Sequence, residues 1–540
     1  MITPVKTSMK RVLVTEKLSP TGLEILRETV EVLEEYSLSE SDLIQALKQV
    51  DGVIIRSKTQ LTAEVIEQAG TLQVIGRAGI GYDNVDLDAA SRKGILVMNV
   101  PEGSTISACE HTFGLILALA RRIPLAAALM RSGKWNRSLV GVELDGKTLG
   151  IIGLGRIGAE VGRRAQAFGM DILVHDPYLS EEKAQALSVK KTDLDTLLSM
   201  ADVITLHVPL VEATRGILSR TAFSKVKPDV LIVNCSRGAV IDQEALVEAL
   251  EGDRIGGVAL DVFEVEPPDF DVPLFTRKFD KLVTTPHLGA STAEAQEKVA
   301  VSIARQVKNA LSGEGYCNSV NLPRVSREMA EKLKPYLRLV EKLASFMLQW
   351  TRSSRDLEVS YEGEVSTLDT DYLALAILKG CLTQISDQIV NHVNAPILAA
   401  EHDLQLTTAK RTGVSTASHR SRVRLSVLCG PGEASREAAV TGVLGEDGQP
   451  RLRRLDHYGV DFPLEGTILM IVHSDRPGVV GRIGSILGNS KVNIGRMEVL
   501  RSDEVGRAMM LITVDSAIAP RVLTNICELD EIHQASTIQL

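Results

Sequence analysis

The sequence predicts an α/β protein of several domains built on open, largely parallel sheets, and three observations predict it. Short apolar runs alternate with helical apolar spacing through the first half of the chain, the pattern of parallel strands joined by crossover helices. Several of those runs end on polar or charged residues, and ligands of open α/β sheets bind beyond the carboxyl ends of strands. At 540 residues the chain exceeds what one hydrophobic core can hold and suggests roughly three or four domains.

Composition sets the limits. Hydrophobic content of 44% with 24% charged residues is that of an ordinary globular protein. A net charge of −9 argues against non-specific binding to nucleic acid or anionic membrane, so local basic residues must hold any anionic ligand. The six cysteines (Cys109, Cys235, Cys317, Cys381, Cys429, Cys527) are scattered without a Cys-x-x-Cys pair. That is a reducing-compartment pattern, with no disulfide framework and no metal site expected. The most apolar helix, around Phe113–Ala120, stops at Arg121-Arg122, too short to span a bilayer. Few residues precede the first strand, so neither signal nor transit peptide is expected and the location expected is cytoplasmic.

In chain order, Val12–Val14 is a strand, followed by a helix with Leu23, Leu26 and Val30 on one face and a strand near Val32-Leu33. Ser39 or Ser41 caps a helix through Leu43 and Leu47. The strand Gly52–Ile55 delivers Arg56, Ser57 and Lys58, and Val74-Ile75 delivers Arg77, Ala78 and Gly79. Two arginines and a lysine at equivalent strand ends suit a small anionic substrate, against the alternative of solvated surface charge. Ile95–Met98 is another strand, and helices follow over about Thr105–Leu119 and Leu125–Met130. Lys134, Trp135 and Arg137 then sit in a loop able to approach a cleft.

Residues 149–176 are the centre of the chain. Leu149–Ile152 is a short apolar run, and Gly153, Gly155 and Gly158 then give Gly-x-Gly-x-x-Gly with Arg156 and Ile157 inside it. Helical spacing continues through Val161, Ala165 and Phe168, and Ile172–Val174 is a second strand. Gly153 permits the tight turn, Gly155 lets a pyrophosphate approach the backbone, and Gly158 allows close helix–sheet packing above amides that meet the phosphate charge. Asp176 lies 18 residues past Gly158, where an acid accepts hydrogen bonds from ribose hydroxyls. Pro177 and Tyr178 follow rather than an arginine, which favours NAD over NADP. An ordinary Gly-rich loop is the alternative, but here strand, helix, second strand and acid fall in order.

Four further strands end on polar groups. Val203–Leu206 runs into His207, Val208 and Pro209, and Val230–Val233 into Asn234, Cys235, Ser236 and Arg237. Gly257–Leu260 ends at Asp261, and Val283–Thr285 at Pro286, His287, Leu288 and Gly289. Among these residues Arg237, Glu266 and His287 suit hydride transfer from a hydroxy acid. Histidine titrates near neutral pH and can take a hydroxyl proton. A carboxylate beside it fixes the tautomer and favours the imidazolium, and arginine offers a planar fork to a carboxylate. Singly, each has a structural reading: a loop histidine, a surface acid before Pro267-Pro268, a capping arginine. Together they read as a site.

Residues 141–158 (Gly-Val-Glu-Leu-Asp-Gly-Lys-Thr-Leu-Gly-Ile-Ile-Gly-Leu-Gly-Arg-Ile-Gly), 234–242 (Asn-Cys-Ser-Arg-Gly-Ala-Val-Ile-Asp), 259–268 (Ala-Leu-Asp-Val-Phe-Glu-Val-Glu-Pro-Pro) and 286–292 (Pro-His-Leu-Gly-Ala-Ser-Thr) resemble the D-2-hydroxyacid dehydrogenase family, and the resemblance covers the whole chain. It implies Arg237 for substrate binding and polarisation, Glu266 as partner to the base and His287 as acid/base. It further implies NAD contacts from Gly153, Gly155, Arg156, Ile157, Gly158, Asp176, His207, Pro209, Thr214, Cys235, Ser236, Gly289 and Ala290, with Asp261 at the nicotinamide end. Arg56, Ser57, Arg77, Ala78 and Gly79 are the implied substrate contacts. The implied architecture is a Rossmann-type NAD-binding domain (101–290) inserted in a flavodoxin-like α/β substrate domain (1–100 and 291–320).

The last third carries helix-forming sequence through Leu333, Leu337 and Leu343, strand alternation at Val423, Leu425 and Val427, and a hairpin signal at Gly445-Glu-Asp-Gly. Arg420, Arg422, Arg424, Arg451, Arg453 and Arg454 form either an anion site or charged strand faces. Resemblance alone identifies 321–463 as the α+β intervening domain of the family's long members. Residues 464–540, with His-Ser-Asp-Arg-Pro-Gly at 473–478 and Val-Asn-Ile at 492–494, resemble a ferredoxin-like ACT domain. By that resemblance His473, Asp475 and Asn493 contact an effector, L-serine; a dimerisation module is the alternative. A homo-oligomer, dimer or tetramer, is implied. For such long members the resemblance implies NAD-dependent oxidation of 3-phospho-D-glycerate to 3-phosphohydroxypyruvate, the first step of the phosphorylated serine pathway. The rivals are a glyoxylate or hydroxypyruvate reductase and, outside enzymes, an NAD-sensing corepressor-like protein.

Overall fold

The computed structural model describes residues 9–323, 325, 327–352, 356–411, 421–429, 436–501 and 506–540. Its first sheet holds β1 (Arg11–Val14), β2 (Glu31–Glu34), β3 (Gly52–Ile55), β4 (Val74–Arg77) and β5 (Leu96–Met98). All pairings are parallel, in the order β2-β1-β3-β4-β5, the flavodoxin-like arrangement. Val12, Leu13 and Val14 are fully buried because helices cover both faces, as a parallel sheet requires. One of those helices is distant in sequence. Ala293–Leu311, N-capped by Thr292, returns across the sheet and packs Ile303 and Val307 on it. Gly76 in β4 makes room, since a Cβ there would lie 2.7 Å from Val307 Cγ2. Beyond that helix the chain stays on this sheet: the Val320 amide donates to Val97 O at 2.8 Å and Asn321 Oδ1 accepts from the Val97 amide at 3.0 Å. The sheet layer thus runs on to Asn321, just past the expected end at residue 320.

The second sheet holds β6 (Thr148–Ile152), β7 (Asp171–His175), β8 (Lys190–Lys191), β9 (Val203–Leu206), β10 (Leu231–Asn234), β11 (Gly257–Leu260) and β12 (Leu282–Thr284). Its order is β12-β11-β10-β9-β6-β7-β8, again wholly parallel. The order reverses at β6, where a dinucleotide crevice opens in a Rossmann sheet. Separate apolar cores fill its two faces. The Thr105–Ala120 helix buries Cys109, Phe113 and Ile116 in one of them. Among the described residues no single helix is long and apolar enough to cross a membrane.

The third sheet runs β14-β13-β15-β16-β17-β18, with β13 Asp356–Gly363, β14 Gln405–Arg411, β15 Ser421–Cys429, β16 Arg436–Leu444, β17 Pro450–Leu455 and β18 Tyr458–Pro463. The glycine pair at 445 and 448 closes the β16–β17 hairpin, with Gly448 at φ +74°. Arg424 pairs with Glu437, and Arg451 and Arg453 with Asp461, so these arginines lie on charged strand faces; Arg420 lies outside the described residues. The fourth sheet, β20 (Ile494–Arg501), β21 (Arg507–Val514), β19 (Thr467–Ser474) and β22 (Ile532–Gln539), is antiparallel and carries two helices, the ferredoxin-like pattern of an ACT domain.

These last two units share one core. Phe346 and Met347 of the Arg327–Thr351 helix sit in a single cluster with Ile468, Met470, Leu511 and Ile538. Gln349 exchanges hydrogen bonds with the Gln539 backbone, at 2.9 Å each way. The pair docks on the first sheet where Asn391 Nδ2 donates to Gly94 O at 2.7 Å and Val393 enters that sheet's core.

Candidate active site

Strand ends from the first two sheets supply the site. After β10, the Asn234 side chain accepts from the Ser236 amide at 3.0 Å and donates to Arg237 O at 2.8 Å. This turn fixes the backbone that presents Arg237. The Arg237 guanidinium donates Nη1 to Ser236 O and Nε to Asp83 Oδ2, each at 2.7 Å.

After β11, Asp261 is fully buried. Its carboxylate accepts from the Thr285 hydroxyl (2.6 Å), the Leu288 amide (2.8 Å) and the Gly289 amide (2.9 Å), and lies 3.0 Å from His111 Nε2. Burial opposes its charge, but the hydrogen bonds from His111, Thr285 and Leu288 hold its carboxyl below the ordinary range. Asp261 is the residue expected at the nicotinamide end. It stands behind the loop as the anchor that holds residues 285–289.

The anchored loop carries His287 at φ +55°, a left-handed conformation unusual for a side-chain-bearing residue. Its amide donates to Asp261 O at 2.8 Å. His287 Nδ1 lies 2.6 Å from Glu266 Oε2, while Glu266 Oε1 accepts from the Phe263 amide at 3.1 Å. Burial opposes the Glu266 charge, yet those two hydrogen bonds and the Arg237 field keep its carboxyl below the ordinary range. With Nδ1 engaged, Nε2 is the nitrogen left for a substrate.

The first sheet contributes basic groups. Glu16 Oε1 accepts from the Arg56, Lys58 and Thr59 amides at 2.9–3.1 Å, pinning the loop that includes Ser57. Arg56 itself reaches Lys17 O at 3.4 Å. Burial, then repulsion from Arg237, lowers the Arg77 guanidinium to about 10, and its Nε is buried without a partner. Ala78 is buried. Gly79 adopts φ +156°, and a Cβ there would overlap the Arg77 guanidinium. Sequence reasoning missed Asp83, His111, Glu16 and Thr285. A histidine inside the apolar 105–120 stretch was the one available signal.

The residues expected at the cofactor fit a dinucleotide. Gly153 takes φ +93°, and a Cβ on it would lie 2.6 Å from His207 O, whereas a Cβ on Gly155 would meet nothing within 4 Å. That open space above the first amides of the Arg156–Ala167 helix, which has no side-chain cap, can admit a pyrophosphate. Gly158 packs on the Gly153 carbonyl. Asp176 Oδ2 accepts from the Leu154 amide at 2.8 Å, tying the acid to the glycine loop, and Tyr178 beside it is 96% exposed. Burial drives the His207 imidazole down to about 4, so it is neutral, and lifts the Cys235 thiol to about 12. The Thr214 hydroxyl donates to Pro209 O at 2.6 Å, and Ser107 to Gly289 O at 2.8 Å, just before Ala290. Arg156 is exposed near Glu102 and Ile157 half-buried. Among the described residues no group of three or more His, Cys, Asp or Glu could hold a metal ion.

In the ACT domain His473 is 2% exposed and its Nδ1 lies 2.9 Å from Ser474 O. Its Nε2 is buried without a hydrogen-bond partner among the described residues. Asp475 pairs with Arg501 at 3.1 Å, and Asn493 is exposed.

Comparison with known proteins agrees with this layout. Residues 113–289 match the NAD binding domain of D-isomer specific 2-hydroxyacid dehydrogenases, 332–456 the D-3-phosphoglycerate dehydrogenase intervening domain, and 466–531 the ACT domain. The D-3-phosphoglycerate dehydrogenase of Methanocaldococcus jannaschii is 41% identical, over 98% of this chain and all of that one. The Bacillus subtilis enzyme of that name is 37% identical over the same shares. Among solved structures, D-lactate dehydrogenase from Aquifex aeolicus, complexed with NAD and lactic acid, is 29% identical with a TM-score of 0.53, covering 58% of this chain and all of that one.

Proposed function

The chain belongs to the D-3-phosphoglycerate dehydrogenases, and from that membership we propose how its own residues carry out the family's reaction. It is an NAD-dependent oxidoreductase that converts 3-phospho-D-glycerate to 3-phosphohydroxypyruvate, the first step of the phosphorylated serine pathway. The observation that carries the assignment of roles is the His287–Glu266 pair at 2.6 Å.

Arg237 receives the substrate carboxylate and polarises the C2 oxygen, with Arg56, Ser57 and Arg77 supplying further positive charge and hydrogen bonds. His287 Nε2 accepts the C2 hydroxyl proton, and Glu266 stabilises the resulting imidazolium through Nδ1. The chemistry NAD supplies when bound is acceptance of the C2 hydride. Gly153, Gly155 and Gly158 leave its pyrophosphate room at the helix start, and Asp176 faces the ribose hydroxyls.

We further propose that L-serine binds the ACT domain. Support comes from the uncapped start of the Val479–Asn489 helix after Gly478 at φ +94°, where free amides suit a carboxylate. Asp475 and Asn493 are the surface contacts in this reading. A homo-oligomer, dimer or tetramer, is supported by the Ile123–Arg131 helix, which buries no residue in the chain. Apolar Ile123, Met130, Trp135 and Val140 lie exposed along and after it. The cytoplasm is the location proposed, in keeping with six scattered cysteines that include no Cys-x-x-Cys pair.

The deciding experiment is the NADH-forming rate with 3-phosphoglycerate, with and without His287→Ala. Turnover that requires His287 supports the assignment. Turnover with glyoxylate or hydroxypyruvate alone would overturn the substrate.

A further inference from the structure

The Arg237 guanidinium is held from two directions. Nη1 donates to its neighbour Ser236 O, and Nε to Asp83 Oδ2 on the loop after β4 of the facing domain, each at 2.7 Å. Asp83 lies 154 residues away in sequence and reaches across the cleft between the two sheets. A planar guanidinium fixed at Nε and Nη1 retains one orientation, and in it Nη2 and the second Nη1 hydrogen remain for an anion.

The loop is shaped for this contact. A Cβ on Gly81 would overlap Arg237 Nη2. Gly81 is not among the positive-φ glycines, so its missing side chain serves the approach of Arg237 rather than a turn. The loop is also braced: Asn84 Nδ2 donates to Arg56 O at 2.7 Å and Thr59 O at 2.6 Å, and Asn99 Nδ2 to Ile80 O at 2.6 Å. Asp83 therefore stands on a rigid support that also positions Arg56. Its negative charge lies near both Arg77 and Arg237, which repel each other. The pair is partly exposed, with side-chain exposures of 30% for Arg237 and 56% for Asp83, and exposed pairs contribute little to stability. Its consequence is orientation.

We propose that Asp83 is a positioning residue for the oxidation, fixing Arg237 from the opposite domain in the orientation that receives the substrate carboxylate. The inference rests on the reading of Arg237 above. A wild-type chain inactive on 3-phosphoglycerate would remove that reading first, before any Asp83 variant is considered.

The test is steady-state kinetics and NADH binding on the full chain for Asp83→Ala, Asp83→Asn, Arg237→Ala and the double variant Asp83→Ala/Arg237→Ala. Asp83→Ala is expected to lower kcat/KM for 3-phosphoglycerate roughly 10- to 100-fold, the scale of one charge-assisted hydrogen bond, with NADH affinity unchanged. Asp83→Asn keeps an acceptor oxygen and is expected to recover part of the loss. In the Arg237→Ala background Asp83→Ala should cost almost nothing more. Additive losses, a parallel loss of NADH binding, or an unchanged kcat/KM in Asp83→Ala would each overturn the proposal. Should Asp83→Ala fail to fold, Asp83→Asn set against Arg237→Ala decides by the same criteria.

Discussion

Nδ1 of His287 and Oε2 of Glu266 lie 2.6 Å apart, joining two loops 21 residues apart in sequence. The contact assigns the imidazole's two nitrogens different tasks. A carboxylate at Nδ1 selects the tautomer and favours the charged ring, so Nε2 serves the substrate.

Glu266→Gln retains a hydrogen-bonding oxygen but not the charge. It is expected to lower kcat roughly 10- to 100-fold while leaving NADH affinity intact. Stopped-flow and steady-state rates beside an NADH fluorescence titration measure both. A kcat equal to wild type would remove Glu266 from the mechanism.

Two glycines of one loop should fail differently. Gly155→Val places a side chain in open space, so folding is unaffected while NADH affinity collapses. Gly153→Val meets His207 O in a left-handed conformation and should destabilise the fold by about 1–3 kcal/mol. Melting temperature and NADH titration, read together, distinguish the two, and identical phenotypes would contradict the geometry.

Removing His111 should loosen the catalytic loop from behind. His111→Leu leaves the buried Asp261 carboxylate short of one donor, at a cost of about 1–3 kcal/mol. The pH dependence follows from the depressed Asp261 carboxyl. A carboxyl lower in the folded than the unfolded state contributes stability above its unfolded value of about 4, and that contribution is lost as pH falls through the folded value. The gap in unfolding midpoint between wild type and Asp261→Asn should be full at neutral pH and narrow below about pH 4. A gap independent of pH would show that the charge plays no part.

L-serine is expected to slow NADH formation by the full chain, and Asn493→Ala to abolish that response with the uninhibited rate unchanged. Equal rates with and without serine would leave the ACT domain as an assembly module. Because Phe346 and Met347 lie in the same core as Ile468 and Leu511, Met347→Ala should alter the serine response while sparing NADH binding.

Local pattern alone determined a good deal of this protein. A glycine's freedom, an apolar run and a polar residue at its end are properties of neighbouring residues, so the parallel strands, the Gly153–Gly158 loop and the acid Asp176 were all legible in the sequence. Arg237, Glu266 and His287 were legible as residue types suited to one reaction. Only the tertiary structure decided which groups meet. Asp83 reaches Arg237 because the first sheet faces the second. His111 meets Asp261 because the 105–120 helix packs behind β11, which makes Asp261 a buried anchor of the loop that carries His287. His473 faces inward because of its place within the packed sheet. Secondary structure follows from the chain's local conformational preferences, whereas pairing across domains depends on how separate surfaces pack, which no local pattern encodes.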